Sequence, residues 1–177
     1  MSVSQLLIGG DELAQLAEAL ARPRLASSVF GAIESIAARR MALTVFSVSR
    51  CLLASTELER IYTSLPDVYA VGARKSKRET SWAQHVLRDR KVFVGEGPLE
   101  MAAAFDDQER MGSIGVRSII NVPIVVADRC VGVLAFGRSA ERVPPEEVLL
   151  ARFFGLAAVA AFVDAKAERP AGAGDRA

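Results

Sequence analysis

Cysteine, histidine and tryptophan are all scarce in this chain, at two, one and one residues. Two cysteines cannot build a disulfide framework, and a single His excludes a zinc site made from several histidines. An excess of charge is missing too. Lys plus Arg comes to 22 and Asp plus Glu to 21, a net charge of +1, so no basic surface of the usual nucleic-acid-binding kind is expected. No stretch is apolar over the roughly 20 residues that a membrane span requires. The nearest, Val148–Val163, is interrupted by Arg152. Met1–Gly10 has neither the basic start nor the apolar centre of a secretory signal. We therefore expect a cytoplasmic protein, with neither nucleic acid nor membrane among its partners.

What is present is apolar surface. Half of the residues, 51%, are hydrophobic, enough to bury a core and to exclude disorder for most of the chain. The length of 177 residues suits one domain with a short extension. We read residues 1–168 as that domain, including N-terminal helices within 11–40, and 169–177 as a flexible tail of Pro, Gly, Ala and charge.

The elements follow from the period of the apolar residues. Leu13, Leu16, Ala17 and Leu20 form a helical stripe over Asp11–Ala21, with Asp11 as its expected cap. Leu25, Val29, Ile33 and Ile36 form a second, ending near Arg39 and Arg40, where the helix dipole favours positive charge. Leu43–Val48 and Glu57–Ser64 read as strands, the second with one wet face or at an edge. Residues 66–116 are punctuated by Gly and Pro and carry only short pieces. Among them are a helix Trp82–Arg90 capped by Ser81, a strand Val92–Val94, and a helix begun by Asp106 and stopped by Gly112. Val116–Ala127 and Cys130–Gly137 form the clearest hairpin, turning around Ala127-Asp128-Arg129. Pro144, Pro145, Glu146 and Glu147 open a last helix that runs to about Lys166.

Both faces of the hairpin strands are apolar. Terminal helices can cover only one face of a small antiparallel sheet, so the insert 66–116 must cover the other. Irregular backbone over a sheet packs less completely than a helix, which makes that face the natural place for a small-molecule cavity.

Val116-Arg117-Ser118-Ile119-Ile120-Asn121-Val122-Pro123-Ile124, followed after a short turn by Val131-Gly132-Val133-Leu134-Ala135-Phe136, resembles the central hairpin of GAF domains. The segments around Trp82 and Phe105-Asp106-Asp107 resemble the middle of the same fold. The resemblance spans roughly residues 25–165. It implies an α+β fold: an antiparallel sheet of five or six strands, terminal helices on one face, and a loop and short-helix insert over a ligand pocket on the other. It does not imply one ligand, since GAF domains bind molecules as different as cyclic nucleotides, bilins and 2-oxo acids. Bilin-binding members carry a Cys beside a His in the insert; here Cys51 and Cys130 lie outside it and neither adjoins His85. Free methionine-R-sulfoxide reductases carry a G-H-x-A-C-D type segment where this chain has Phe93-Val94-Gly95-Glu96.

The candidate ligand-binding residues are Tyr69, Trp82, His85, Phe93, Phe105, Ser118 and Asn121. Each has a plainer alternative. Trp82 is either a core plug or a pocket wall; His85 is either a satisfied helix residue or a ligand donor; Asn121 binds either the insert backbone or a ligand. Ser118 and Asn121 lie three apart and point to opposite faces of a regular strand, so only one of them faces the pocket. Arg74, Lys75, Lys77 and Arg78 are either a solvated loop or an anion site. Cys51 and Cys130 read as two reduced structural thiols. The function we expect is a small-molecule-binding, sensory or regulatory domain without catalysis, without metal or other cofactor, binding an unidentified small molecule. It should dimerise through its terminal helices, because the last helix has two apolar stripes where one suffices. The alternatives are a small redox enzyme related to the sulfoxide reductases, and a dimerisation module with a vestigial pocket.

Overall fold

The change of period from 3.6 to 2 and back divides the chain into helical ends around a sheet. The computed structural model describes residues 8–22, 24–52, 57–76 and 80–167; the tail and residues 77–79, including Lys77 and Arg78, lie outside it. In chain order the elements are α1 (Gly10–Leu20), α2 (Leu25–Arg40), β1 (Leu43–Leu52), β2 (Glu57–Thr63) and β3 (Arg74–Ser76). A short helix α3 (Ser81–Ala83) continues as one π-helical turn, Gln84–Arg88. Then come β4 (Phe93–Glu96), α4 (Gly97–Ala104), α5 (Gln108–Ser113), β5 (Ser118–Val126), β6 (Arg129–Arg138) and α6 (Pro145–Ala167).

The strands form one antiparallel six-stranded sheet in the order β3-β2-β1-β6-β5-β4, within the five or six expected. Side chains alternate across it. Phe46, Val48, Ile120, Val122, Ile124, Leu134 and Phe136 meet α1, α2 and α6 in the main core. Val45, Ile119 and Val133 point the other way, into two smaller clusters roofed by the insert. The helices thus cover one face and the insert the other, as anticipated.

The hairpin turn is two residues, Ala127 and Asp128, both with positive φ (46° and 59°), the geometry that matches the twist of antiparallel strands; Arg129 already belongs to β6. Three bulges interrupt the pairing. Leu43 pairs with Arg138 but Val45 with Gly137, so Thr44 is an extra residue in β1. Ile124 pairs with Gly132 but Val125 with Cys130, so Val131 is an extra residue in β6. Val48 pairs with Tyr62 but Ser49 with Arg60, so Ile61 is an extra residue in β2.

Several local expectations are corrected. Gly9, not Asp11, caps α1, and the Glu12 carboxylate reaches back to the Gly9 N–H at 2.8 Å. Thr80, not Ser81, caps α3 by accepting the Ala83 N–H at 3.1 Å. Asp107, not Asp106, precedes α5 and makes no side-chain cap bond. β1 runs four residues past its expected end at Val48. β2 is not an edge: the basic residues after Gly72 form β3, which pairs with it. Charged side chains on such a short outer strand discourage pairing with another chain. Helix α4 was not anticipated; Gly97 and Pro98 read as punctuation, yet proline is well tolerated in a first helical turn.

Glu147 and Arg138 join the start of α6 to the sheet. The Arg138 guanidinium, 1% exposed, donates to both Glu147 carboxylate oxygens at 2.7 and 3.0 Å, to Ser118 Oγ at 2.8 Å and to the Arg142 carbonyl at 2.8 Å. This planar, multiply bonded arrangement is what allows a cation to be buried.

Candidate functional site

Small side chains make the cavity. On the insert-facing row of β1 stand Ser47 and Ser49, and on that of β6 stand Ala135 and Gly137. Large side chains at these positions would fill the space beneath the insert. Instead a cavity of about 100 Å³ remains between sheet and insert. Its walls are aromatic: Tyr69, Trp82 and Phe105, the last two edge to face with ring centroids 6.4 Å apart.

Polar groups sit among these walls. The Trp82 indole N–H donates to Asn121 Oδ1 at 2.8 Å, and both residues are buried. Lys75 Nζ lies 2.5 Å from an Asp107 carboxylate oxygen, closing the insert across β3. Arg60 enters from β2 with its guanidinium 4.8 Å from the Tyr69 ring centroid, a cation–π contact. Among the described residues its Nη1 makes a long bond to the Ala70 carbonyl, at 3.5 Å, and its buried Nε–H has no partner. Burial lowers the Arg60 pKa against the opposing attraction of Asp107, and burial followed by Asp107 raises that of Tyr69. The site therefore offers unused donor capacity on a cation, beside an apolar wall.

Of the seven candidates, the structure brings Tyr69, Trp82, Phe105 and Asn121 together around this cavity. Phe93 stands one layer back, edge to face with Phe105 at 6.0 Å and with His85 at 6.2 Å. His85 points outward; its Nε2 is 3.0 Å from the Val92 carbonyl, and it borders two outer grooves rather than the cavity. Ser118 is on the opposite face. It shares the parity of Ile120, so its hydroxyl donates to the Ala140 carbonyl at 2.6 Å and accepts from Arg138. Trp82 proves to be both plug and wall. Arg60, Ser47 and Ser49 were missed, although the small residues of β1 and β6 were a readable signal. Among the basic residues, Lys75 stands on β3 at the cavity, exposed to solvent and paired to Asp107.

The two thiols meet, a proximity that the sequence does not reveal. Cys51 lies within β1 and Cys130 within β6, and their sulfurs are 3.8 Å apart. Neither borders the cavity. Among the described residues, no group of three or more His, Cys, Asp or Glu side chains is placed to hold a metal ion, and no helix is long and apolar enough to cross a membrane.

A family model of the GAF domain matches residues 35–162. The chain belongs to the GAF domain family. Solved structures place the same fold on very different proteins. The GAF domain of a phosphoenolpyruvate-protein phosphotransferase from Coxiella burnetii superposes with a TM-score of 0.76 at 17% identity, over 95% of this chain and 98% of that one. Free methionine-R-sulfoxide reductase from Neisseria meningitidis, in complex with its substrate, gives 0.67 at 13% identity, over 94% and 95%. The phycoerythrobilin-bound GAF domain of a cyanobacterial phytochrome gives 0.64 at 14%, over 90% and 98%. At these identities the likeness concerns the fold. No curated protein matches the chain. In this GAF domain, as in the sequence pattern that suggested it, the cavity lies on the sheet face opposite the terminal helices.

Proposed function

We propose that this GAF domain is a cytoplasmic, non-catalytic receptor for a small molecule that carries a carboxylate or similar acceptor group on a partly apolar body. One observation carries the reading: the Arg60 Nε–H, buried and without a partner among the described residues, beside a cavity walled by Tyr69, Trp82 and Phe105. A buried donor left unpaired is costly, and an acceptor on a ligand removes that cost. Aromatic walls supply contact area, while Asn121 and Arg60 fix orientation. Ordering of the insert around the ligand is the signal, passed through the sheet to the terminal helices. A sulfoxide reductase reading has less support, because both thiols stand outside the cavity lining.

The same reading includes a homodimer formed through the terminal helices. Leu150, Phe154, Ala158 and Ala161 of α6 pack inward, while Leu149, Leu156 and Val163 remain 53%, 73% and 50% exposed. Their spacing of seven residues draws one stripe along the helix, the pattern by which a helix packs on a second copy of itself. Leu13 and Leu20 of α1 repeat the spacing, at 47% and 41% exposure.

Native mass spectrometry of protein purified from its own host tests the receptor reading, with a panel of two- to six-carbon carboxylates titrated against the emptied protein. The expected result is a retained or added small acidic molecule with a saturable change in Trp82 emission. Arg60→Met should lose binding while keeping its melting temperature. Binding that survives Arg60→Met unchanged would overturn the assignment of Arg60, and a monomeric mass by light scattering at tens of micromolar would overturn the dimer.

A further inference from the structure

The Cys51 and Cys130 sulfurs meet because of a bulge. Ser47, Ser49 and Cys51 follow one another at alternate positions of β1, all towards the insert. On β6, strict alternation would aim Cys130 at the helices together with Gly132, Leu134 and Phe136. The extra residue Val131 reverses this. Val131 packs towards the helix core, and Cys130 turns to the insert side with Val133. Bulges commonly re-aim one side chain in this way. The outcome is two thiols in one apolar cluster with Leu58, Trp82, Ala83 and Val86, and no other cysteine in the chain.

The pair is built asymmetrically. The Cys51 thiol donates towards Cys130 Sγ across the 3.8 Å gap, and Cys130 Sγ is 3.2 Å from the Gly132 carbonyl. The hydrogen bond between them, reinforced for Cys51 by burial, pushes the Cys51 thiol up and the Cys130 thiol down, with Arg90 adding a favourable charge for Cys130. As the acceptor of the Cys51 hydrogen bond, Cys130 is the sulfur better placed to carry the thiolate. Cys51 is only half-buried and opens the pair to small reagents.

We propose that Cys51 and Cys130 form a reversible oxidation site, whose co-reactant is a hydroperoxide and whose product is an intramolecular disulfide. The Cys130 thiolate sulfur attacks one peroxide oxygen and the O–O bond breaks. Water or an alcohol leaves, and Cys130 becomes a sulfenic acid. The Cys51 sulfur then attacks the Cys130 sulfur. The S–S bond forms, the hydroxyl departs, and it takes the Cys51 proton to become water. Two thiols supply two electrons to one peroxide, giving one disulfide, one water and one alcohol or second water. A dithiol reductant reverses the change by exchange. The sulfurs must close to about 2.05 Å. β1 and β6 are hydrogen-bonded neighbours up to Arg50 and Gly132, so this is a movement of side chains at the end of an existing pairing. The site is independent of the ligand reading, because neither sulfur lines the cavity.

The test uses the full-length protein, reduced, freed of reductant and treated with a few equivalents of hydrogen peroxide. Intact mass under non-reducing conditions should fall by two hydrogens, and peptide mapping should link the Cys51 and Cys130 peptides within one chain. Dithiothreitol should restore the starting mass. Trp82 emission should change with the same time course, since its ring shares the cluster. Cys51→Ser should stop the reaction at Cys130 sulfenic acid, trapped by dimedone, with no crosslink. The mapping on wild-type protein decides the matter even where that variant folds poorly. Peroxide that oxidises methionines, or the two cysteines singly, without the intramolecular crosslink would overturn the proposal; so would crosslinks found only between chains.

Discussion

Trp82 and Asn121 are joined by a 2.8 Å hydrogen bond from the indole N–H to the side-chain oxygen, and this bond ties the insert to the centre of the sheet. Asn121 lies on β5, flanked by Ala135 on the inner strand β6 and Phe93 on the outer strand β4, so it stands at a fixed point beneath a roof of short segments. Asn121→Leu removes the acceptor from a buried site. The expected loss of stability is about 1–3 kcal/mol. Urea unfolding checks it, and the double variant Trp82→Phe with Asn121→Leu should lose less than the sum of the single losses.

The Arg138–Glu147 clasp predicts a larger effect. Glu147→Ala leaves a buried guanidinium without its carboxylate, and the expected cost is about 3–5 kcal/mol. Replacing both, as Arg138→Met with Glu147→Leu, should recover most of it. Chemical denaturation of the four proteins measures the coupling. Equal losses in the single and double variants would show that the ion pair is not what anchors α6.

Glu96 predicts a dependence on pH. Its carboxylate accepts the Val143 N–H at 2.6 Å and an Arg142 N–H at 2.7 Å, fastening β4 to the segment before α6. These bonds, the Val143 one first, lower its pKa from 4.5. A carboxylate with a lowered folded pKa stabilises the native state fully above the unfolded value, and the contribution disappears as pH falls through the folded one. The melting temperature of wild-type protein should therefore exceed that of Glu96→Gln at pH 7, and the gap should narrow below about pH 4.5. A gap that stayed constant down to pH 3 would exclude titration of Glu96 as its source.

Gly132→Ala tests the packing of α6 on the sheet. A Cβ there would stand 2.4 Å from the Phe162 ring and 2.7 Å from the Ser49 carbonyl oxygen. The ring can turn aside, but the carbonyl belongs to β1. The expected destabilisation is about 1–3 kcal/mol or more. Phe162→Leu in the same chain should relieve only part of it, as thermal melting of the single and double variants will report.

The residues that were legible in the sequence are those whose environment repeats. Leu25–Arg40, the β5–β6 hairpin and the start of α6 at Pro145 carry enough periodic or turn residues to stand out. The doubly apolar hairpin correctly located the cavity face. What was not legible depends on single residues out of period. Val131 shifts Cys130 to the insert side, and Ile61 puts Tyr62 against Phe30 while Arg60 enters the cavity. A parity argument fails across an inserted residue, and nothing in the strand's composition marks the insertion. Ser118 and Asn121 were rightly opposed, but which of them faced inward depended on the packing of α6 through Arg138. The caps of α3 and α5 were displaced by one residue, where neighbouring residues competed for the role, and that of α1 by two, from Asp11 to Gly9.

The floor of small side chains separates two properties that many sites combine. Ser47 and Ala135 face one another on the central strands, so the depth available to a guest is set by the sheet. Arg60, Tyr69, Trp82 and Asp107 set the chemistry at the rim and walls. Exchange of Ala135 for Val would make the chamber shallower beside Asn121, its neighbour on β5. In the proposed receptor, exchange of Arg60 would change the preferred charge of the guest. In the proposed receptor the depth open to a guest and the charge it meets are thus set by different elements, the first by the central strands and the second by β2 and the insert.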